Sequence, residues 1–255
     1  MTFQLEPTVP VLGTPVAMTR HDDAVQLILQ CAGNADRPYL VAAANTHLIT
    51  LASRNGDYAS TLEKFDFIVP DGMPLIWYLN FFEKADLGDR VYGPELMTRC
   101  LAASGSEQRH FFLGASDAMR ERLQEVLKRR FPALTIVGGY SPPFGDWDDA
   151  EDAKICRAIR ESEAQLVWVG LGCPRQEKFL ARMKERLPWG VYLAVGAAFP
   201  LISDAVPQAP KFLQKRGLEW AFGLSAGPRR LWRRHLVHNS LFVWGVLREV
   251  VGRRR

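Results

Sequence analysis

Short apolar runs rich in β-branched residues alternate with longer segments of helical periodicity along the first 196 residues. This alternation is typical of βαβ units and predicts an α/β fold with a mainly parallel sheet and helices on both faces. The predicted strands are 39–43, 67–69, 110–113, 134–137, 165–169 and 191–195. The predicted helices are 22–32, 46–54, 74–82, 94–104, 116–130, 148–162 and 174–186.

Residue types at the helix starts and the end of the alternation define the organisation further. The predicted N-caps are Asp22, Ser116 and Asp148, and the predicted first-turn prolines are Pro94 and Pro174. From about Leu201 a proline-containing loop is followed by helical sequence rich in arginine and tryptophan. We therefore predict a core over 1–200 and a helical, basic C-terminal appendage over 201–255.

Positive charge is concentrated at the C-terminal end of the chain. Residues 228–255 contain eight arginines and one glutamate, a net +7, whereas the whole chain carries +4 and the remainder therefore −3. A mildly acidic body with a basic tail indicates an anionic partner for the tail, which is a membrane surface, a nucleic acid or a phosphorylated substrate.

Composition excludes several classes of protein. With 47% hydrophobic residues and a mean hydropathy of −0.10, the chain is neither disordered nor fibrous. Its four cysteines show no CxxC spacing, so we expect buried thiols and a cytoplasmic location. The first 20 residues predict no secretory signal, and the charge-free stretch 236–247 is shorter than the ~20 residues of a membrane-spanning helix.

Four predicted strands run directly into polar or glycine-containing segments, at 44–46, 70–72, 114–116 and 170–172. In a parallel sheet such segments converge at the carboxyl ends of the strands, where ligands bind. Asp71 follows an apolar strand there and is a candidate general base, because partial desolvation raises the pKa of a carboxyl. For an Asp-Gly pair alone, a solvated turn or an N-cap is the commoner explanation.

Two further motifs have both a functional and a structural interpretation. The segment 170–177 opens a helix with two glycines, which suits a phosphate or ribose, although a tight strand-to-helix turn explains it equally well. Arg175 stands where a dinucleotide fingerprint would have its third glycine, which weakens an oxidoreductase assignment. Asp146 and Asp148 match a metal-binding D-x-D pattern, but a helix start is the favoured explanation. No histidine spacing fits a zinc hydrolase, and no serine elbow fits an α/β-hydrolase.

The tail contains a candidate membrane-binding helix. Arg229, Arg230, Arg233 and Arg234 fall on one side of it, and apolar residues including Trp232 fall on another. Such a helix can lie on an anionic bilayer with Trp220, Trp232 and Trp244 at headgroup depth. A solvated basic face on a packed C-terminal helix is the alternative. The predicted membrane contacts are Arg229, Trp232, Arg234 and Trp244.

The motifs in their order along the chain resemble those of the WecG/TagA/CpsF glycosyltransferase family, over about residues 11–234. They are Asn45, Pro70-Asp71-Gly72-Met73-Pro74, Arg90-Val91-Tyr92-Gly93, Phe112-Leu113-Gly114, Ser141-Pro142-Pro143-Phe144, 169–177, Val195-Gly196-Ala197 and Gly217-Leu218-Glu219-Trp220. Two positions depart from the family pattern, Pro200 and Gly223.

The resemblance implies a Rossmann-like core of the GT-E type (family 26) and an appendage that completes the active site and docks on the inner face of the cell membrane. It implies inverting sugar transfer from a UDP-sugar to a polyprenyl-diphosphate-linked saccharide, without a metal or another cofactor. Asp71 would be the base, and Arg230 and Arg233 would lie near the diphosphate. The predicted substrate-binding residues are Asn45, Gly72, Arg90, Gly114, Gly170, Gly172, Gln176, Glu177 and Gly196.

Two other functions remain as alternatives. A nucleotide-dependent oxidoreductase is opposed by the missing third glycine. A nucleic-acid-binding protein is opposed by the acidic body and by the apolar, tryptophan-rich sequence between the arginines. The stretch 236–247 can pack on the core, on lipid or on a second subunit, so a homo-oligomer remains open.

Overall fold

The strands of the protein form a hairpin and a larger sheet in a computed structural model that describes residues 7–210, 213 and 237–253. They are β1 (Thr8–Val11), β2 (Thr14–Ala17), β3 (Pro38–Ala44), β4 (Phe67–Pro70), β5 (Arg109–Gly114), β6 (Thr135–Tyr140), β7 (Leu166–Gly170) and β8 (Gly190–Ala194). The strands β3 to β8 form one sheet in the order β4-β3-β8-β7-β5-β6, and every pairing in it is parallel. The predicted α/β fold with a parallel sheet is confirmed.

The described helices cover both faces of this sheet. They are α1 (His21–Gly33), α2 (Thr46–Ala52), α3 (Gly56–Leu62), α4 (Met73–Glu83), α5 (Gly93–Ala103), α6 (Asp117–Arg130), α7 (Asp149–Ser162), α8 (Arg175–Met183), α9 (Ala198–Ile202) and α10 (His238–Arg253). Buried residues of α2, α3, α4, α7 and α8 form one apolar cluster, and those of α1, α5, α6 and α9 form the other. The two clusters lie on opposite sides because successive strand residues point to opposite faces.

The predicted strands and helices are all present, with three additions and some shifted ends. The hairpin β1–β2, α3 and α9 were not predicted, and α8 ends at Met183 before a short 3₁₀ turn, Lys184–Arg186. Ser116 and Asp148 cap α6 and α7 through their side chains, and Pro94 lies in the first turn of α5, as predicted. The prediction for Asp22 is wrong, because Arg20 occupies the N-cap of α1. Pro174 is the N-cap of α8 rather than a first-turn residue.

The cysteine prediction holds for Cys31, Cys100 and Cys156, which are buried. It is wrong for Cys173, which is half-buried in the loop after β7 and lies 3.4 Å from the hydroxyl of Tyr58. Among the described residues, no helix combines the length and the apolar character that crossing a bilayer requires.

The C-terminal helix α10 packs on α2 beside the carboxyl end of the sheet. Thr46 donates a hydrogen bond to Asn239 Oδ1 at 2.6 Å, and the Thr50 hydroxyl lies 2.6 Å from His238 Nδ1. Further along, Tyr78 donates to Glu249 at 3.0 Å, and Phe242 is buried in the core. The division into two domains at residue 200 falls within α9 and remains a prediction.

His110 makes the fold sensitive to acid. Its side chain is fully buried in β5 and accepts a hydrogen bond from Trp168 Nε1 at 3.1 Å, and burial lowers its pKa to about 4. An unfolded chain takes up this proton near pH 6.5, so stability is retained above that value and falls by about 3 kcal/mol as the pH drops towards 4. His110→Gln, which can still accept from Trp168 but does not titrate, should reduce the loss, measured by urea unfolding at pH 7.5 and 4.5. Equal losses in both proteins would contradict the assignment.

Candidate active site

The predicted strand-end segments come together at the carboxyl edge of the sheet. The strands that carry them are β3, β4, β5 and β7. With β8 they are consecutive neighbours in the order β4-β3-β8-β7-β5, so the loops that follow them lie along one edge. The backbone N–H of Asp71 donates to Ala44 O at 2.7 Å, which joins the loops after β4 and β3. Gly72 lies against Asn45, since a Cβ on Gly72 would be 3.7 Å from the Asn45 Cα.

Asp71 lies between the ends of two helices. Gly72, and not Asp71, is the N-cap of α4, so the N-cap interpretation of Asp71 is wrong for that helix. Its Oδ1 accepts a hydrogen bond at 3.2 Å from the N–H of Gly93, the first residue of α5, and the side chain is half-buried. The positive end of the α5 dipole favours a carboxylate at this place. Asp71 is therefore fixed by backbone contacts at the edge where open α/β sheets generally bind their ligands.

Asn45 closes the other side of this pair of loops. Its Oδ1 caps α2 by accepting from the N–H groups of His47 and Leu48 at 3.1 and 3.2 Å. The amide Nδ2 donates no hydrogen bond within the part of the chain that the structure describes. One end of the amide thus holds the helix start, and the other end can donate to a ligand.

Arg90 lies in the loop that returns to the sheet before α5. The N–H of Val91 donates to Pro70 O at 2.8 Å, which ties this loop to the end of β4 one residue before Asp71. The Arg90 side chain is buried, and its guanidinium stacks on the Tyr92 ring at 4.3 Å. Stacking fixes a planar, permanently charged group beside the Asp71 loop, where it suits phosphate oxygens.

Gly114 and Gly170 are packing glycines at the ends of β5 and β7. They are register partners, and a Cβ on Gly114 would lie 2.7 Å from Gly170 O. A Cβ on Gly170 would lie 2.8 Å from the ring of Phe199 in α9. Both positions therefore require the absence of a side chain for close packing, and this requirement comes from the fold itself.

The first turn of α8, which follows the loop after β7, contains the most buried polar residues of the edge, Gln176 and Glu177. Gly172 has φ +81°, a conformation that favours glycine. Its N–H donates to Gln176 Oε1 at 3.1 Å, and Gln176 Nε2 donates to Glu177 Oε1 at 2.8 Å. A Cβ on Gly196 would lie 3.7 Å from Gln176 Nε2, so Gln176 bridges the loops after β7 and β8. Burial raises the pKa of Glu177 to about 6.

The D-x-D pattern is explained by local structure. Asp148 caps α7 by accepting from the N–H of Glu151 at 3.0 Å, and Asp146 is exposed. Trp147 between them stacks with the guanidinium of Arg175 at 4.1 Å and donates to Asp152 at 2.7 Å. Within residues 7–210, 213 and 237–253, no group of three His, Cys, Asp or Glu side chains could hold a metal ion.

Of the predicted tail residues, the structure describes Trp244. Arg229, Arg230, Trp232, Arg233 and Arg234 lie outside the described residues. Trp244 lies on α10, is 51% exposed, and stacks with Arg248 at 3.6 Å. Exposed apolar side chains next to it on the same helix are Val243, Leu247 and Val251.

The sequence did not predict the residues outside the motifs that contact and position the site. Tyr58 of α3 lies beside Cys173 and Glu177, and His238 and Asn239 hold α10 on the first turns of α2. These partners are 115 or more residues apart along the chain. The sequence contains no spacing signal for such contacts.

An open parallel sheet with its polar and glycine-containing loops at one carboxyl edge is the architecture of nucleotide-binding α/β enzymes. Residues 9–255 match the model of the glycosyl transferase WecG/TagA/CpsF family, and the chain belongs to this family of glycosyltransferases.

Two relatives carry the same functional name, N-acetylglucosaminyldiphosphoundecaprenol N-acetyl-beta-D-mannosaminyltransferase. The one from Bacillus spizizenii is 32% identical over 197 residues, which cover 77% of this chain and 74% of the relative. The one from Staphylococcus aureus is 25% identical over 192 residues, which cover 75% and 73%. By name, these relatives act on an acceptor in which a sugar is joined through a diphosphate to undecaprenol.

Proposed function

We propose that this glycosyltransferase moves a sugar from a UDP-sugar to a polyprenyl-diphosphate-linked saccharide, with inversion at the anomeric carbon, in the synthesis of a bacterial surface polysaccharide or exopolysaccharide. The observation that carries the proposal is the placement of Asp71, whose Oδ1 is held by the N–H of Gly93 beside Asn45. The functional names of the relatives support a lipid-linked acceptor.

In this mechanism Asp71 is the general base. Its carboxylate takes the proton of the acceptor hydroxyl while the hydroxyl oxygen bonds to the anomeric carbon of the donor. The bond from that carbon to the β-phosphate oxygen breaks, and the electron pair leaves with UDP. Because the substitution is a single step at the opposite face, the configuration at the anomeric carbon inverts.

Arginines stabilise the charge that develops on the leaving diphosphate. Arg90 is one candidate, because its stacked guanidinium lies in the loop tied to the end of β4. Arg230 and Arg233 are the others, and Arg233 precedes by five residues His238, whose ring contacts Thr50 on α2. The anchoring of α10 beside Asn45 supports a place for these two arginines near the site. Preorganised cations are effective there, since they stabilise the transition state without rearrangement.

The outer face of α10 supports contact with an anionic membrane surface. Trp244, Leu247 and Val251 are exposed on it, and Arg248 lies over the Trp244 ring. An apolar helix face with an adjacent cation suits the boundary between headgroups and acyl chains. A peripheral position on the inner face of the membrane brings the enzyme to a lipid-linked acceptor.

The proposal predicts transfer from one of a panel of UDP-sugars to a short-chain polyprenyl-diphospho-N-acetylglucosamine. The reaction should proceed in buffer containing EDTA, because cationic side chains take the place of a metal, and NMR of the product should show the inverted anomer. Product formation is followed by mass spectrometry, with the acceptor lacking its diphosphate as the control. Loss of transfer in EDTA with recovery on adding magnesium or manganese would contradict the metal-free mechanism. Absence of transfer from every UDP-sugar would contradict the donor class.

A further inference from the structure

A buried polar cluster lies behind the loops after β7 and β8. We call it the Glu177 cluster, and it consists of Tyr58, Cys173, Gln176 and Glu177. Tyr58 and Gln176 are 2% exposed and Glu177 is 1% exposed. Tyr58 belongs to α3, Cys173 to the loop after β7, and Gln176 and Glu177 to the first turn of α8. The cluster therefore links α3, α8 and the loop that connects β7 to α8. Polar groups this deeply buried are costly unless their hydrogen bonds are made.

Two hydrogen bonds fix the amide of Gln176 in one orientation. Nε2 donates to Glu177 Oε1 at 2.8 Å, and Oε1 accepts from the N–H of Gly172 at 3.1 Å. Because a carboxylate only accepts and a backbone N–H only donates, rotating the amide by 180° would replace both bonds with repulsive pairs. The Glu177 carboxylate and the Gly172 N–H together therefore decide which end of Gln176 faces the glycine loop.

The same amide touches both glycine loops. Gly172 is bonded to its oxygen, and the position of a Cβ on Gly196 lies 3.7 Å from its nitrogen. Both glycines have positive φ, +81° and +55°, a backbone conformation that favours glycine over residues with a side chain. The Gln176 side chain thus lies between two loops at the proposed donor-binding edge.

Burying the Glu177 carboxylate at this position lowers the stability of the folded protein. Burial raises its pKa to about 6, and the neighbouring groups that face it are the Tyr58 hydroxyl and the Cys173 thiol. Its Oε2 is buried and accepts no hydrogen bond of ordinary geometry from the described residues. A stability cost at one position of an otherwise consistent core is typical of a residue retained for function.

We infer that Glu177 is a positioning residue, whose carboxylate holds the Gln176 amide so that the loops at Gly172 and Gly196 keep the spacing that receives the donor diphosphate. Glu177 itself does not touch the donor. The nature of the ligand rests on the proposed function, whereas the control of the Gly172 loop by Glu177 rests on the geometry alone. This reassigns Glu177 from direct substrate binding, the role expected from the sequence, to support of the residues that bind.

Amide hydrogen exchange at Gly172, followed by NMR on the full-length protein without substrate, tests the geometry. In Glu177→Ala the Gly172 amide should exchange about tenfold faster, because Gln176 loses the bond that orients it. Glu177→Asp should behave in the same way, because its side chain is one methylene shorter and its carboxylate no longer reaches Gln176. It replaces Glu177→Ala in the test if the alanine variant does not fold. Glu177→Gln should stay within about threefold of wild type, because its Oε1 can still accept from Gln176.

Glu151→Ala is the matched control. Glu151 is also a buried carboxylate near the start of a helix, in this case α7, away from the glycine loops. It accepts a hydrogen bond from the Tyr140 hydroxyl at 2.7 Å. Its loss should leave Gly172 exchange unchanged. Equal exchange rates in Glu177→Ala and Glu151→Ala, or equally fast exchange in Glu177→Gln and Glu177→Ala, would overturn the inference.

UDP affinity and steady-state kinetics of the same variants test the consequence. Glu177→Ala should raise the Kd of UDP and the KM of the donor about tenfold while kcat changes less than threefold, because Asp71 is untouched. Glu177→Gln should restore both constants. A fall in kcat at unchanged KM would overturn the positioning role. Failure of the wild-type protein to bind UDP would instead contradict the proposed function, and the exchange result at Gly172 would be unaffected by it.

Discussion

Asp71→Asn should lower kcat for sugar transfer by about 100-fold or more and leave UDP affinity within about twofold of wild type. The amide has the same shape, and its oxygen can still accept from the N–H of Gly93 that now binds Oδ1 at 3.2 Å. It cannot take up the proton of the acceptor hydroxyl, and general bases typically contribute 10²–10⁴-fold. Single-turnover rates with saturating donor, together with UDP titrations, measure the two effects separately.

The matched control for this variant is Asp146→Asn. Asp146 is an exposed aspartate in the loop before α7, at the start of the D-x-D pattern. Its substitution makes the same chemical change at a place that the mechanism does not use, so turnover should stay at the wild-type level. Wild-type turnover in Asp71→Asn would show that the base lies elsewhere.

Arg230→Ala combined with Arg233→Ala should slow transfer by at least about 100-fold, even on a water-soluble acceptor analogue that needs no membrane. The expectation follows from the charge that the leaving diphosphate develops, since removing one preorganised donor commonly costs 10²–10³ in kcat. Binding to neutral vesicles should change little, because Trp232 and Trp244 are intact. Turnover of the soluble analogue and vesicle co-sedimentation are measured on the same preparation.

Arg253→Ala combined with Arg254→Ala controls for net charge. This pair removes the same two positive charges at the far end of the tail, so it should weaken attraction to anionic vesicles without slowing the soluble reaction. If the Arg230 and Arg233 double variant turns over the soluble analogue normally, the tail is only an anchor and its catalytic role falls.

The sequence predicts the sheet well because five of its six strands, all except β6, are buried over most of their length. Strands such as β7 read as continuous apolar runs, and the helices between them show clear periodicity. The hairpin β1–β2 escaped prediction because Pro10 and Pro15 interrupt its pattern, although Val9, Val11 and Val16 are buried. The helix α3 has only seven residues and begins within an Asn-Gly pair, which is typical of a turn. Asn55 is in fact its N-cap and Gly56 its first residue.

The site could be predicted as far as parallel topology brings loops together. Asp71, Asn45 and Gly172 follow strands that are near neighbours in the sheet, so their approach follows from the order of the strands. The roles of individual residues depend on contacts that no local pattern encodes. Glu177 looks like a first-turn acid of α8, but in the structure it is buried beside Tyr58 of another helix, α3.

Because α10 is attached to α2, the arginine-containing segment that precedes α10 is anchored at both of its ends. Residues 214–236 are joined at one end to the chain that leaves α9 and at the other to His238, which is held at Thr50. A segment tethered at both ends reaches a site close to its attachment points at an effective concentration of the order of millimolar. In the proposed mechanism its arginines would therefore be an intramolecular ligand, whose contribution does not depend on protein concentration. Cutting the chain between the arginines and α10 would convert the segment into a free end and lower that local concentration without removing any charge.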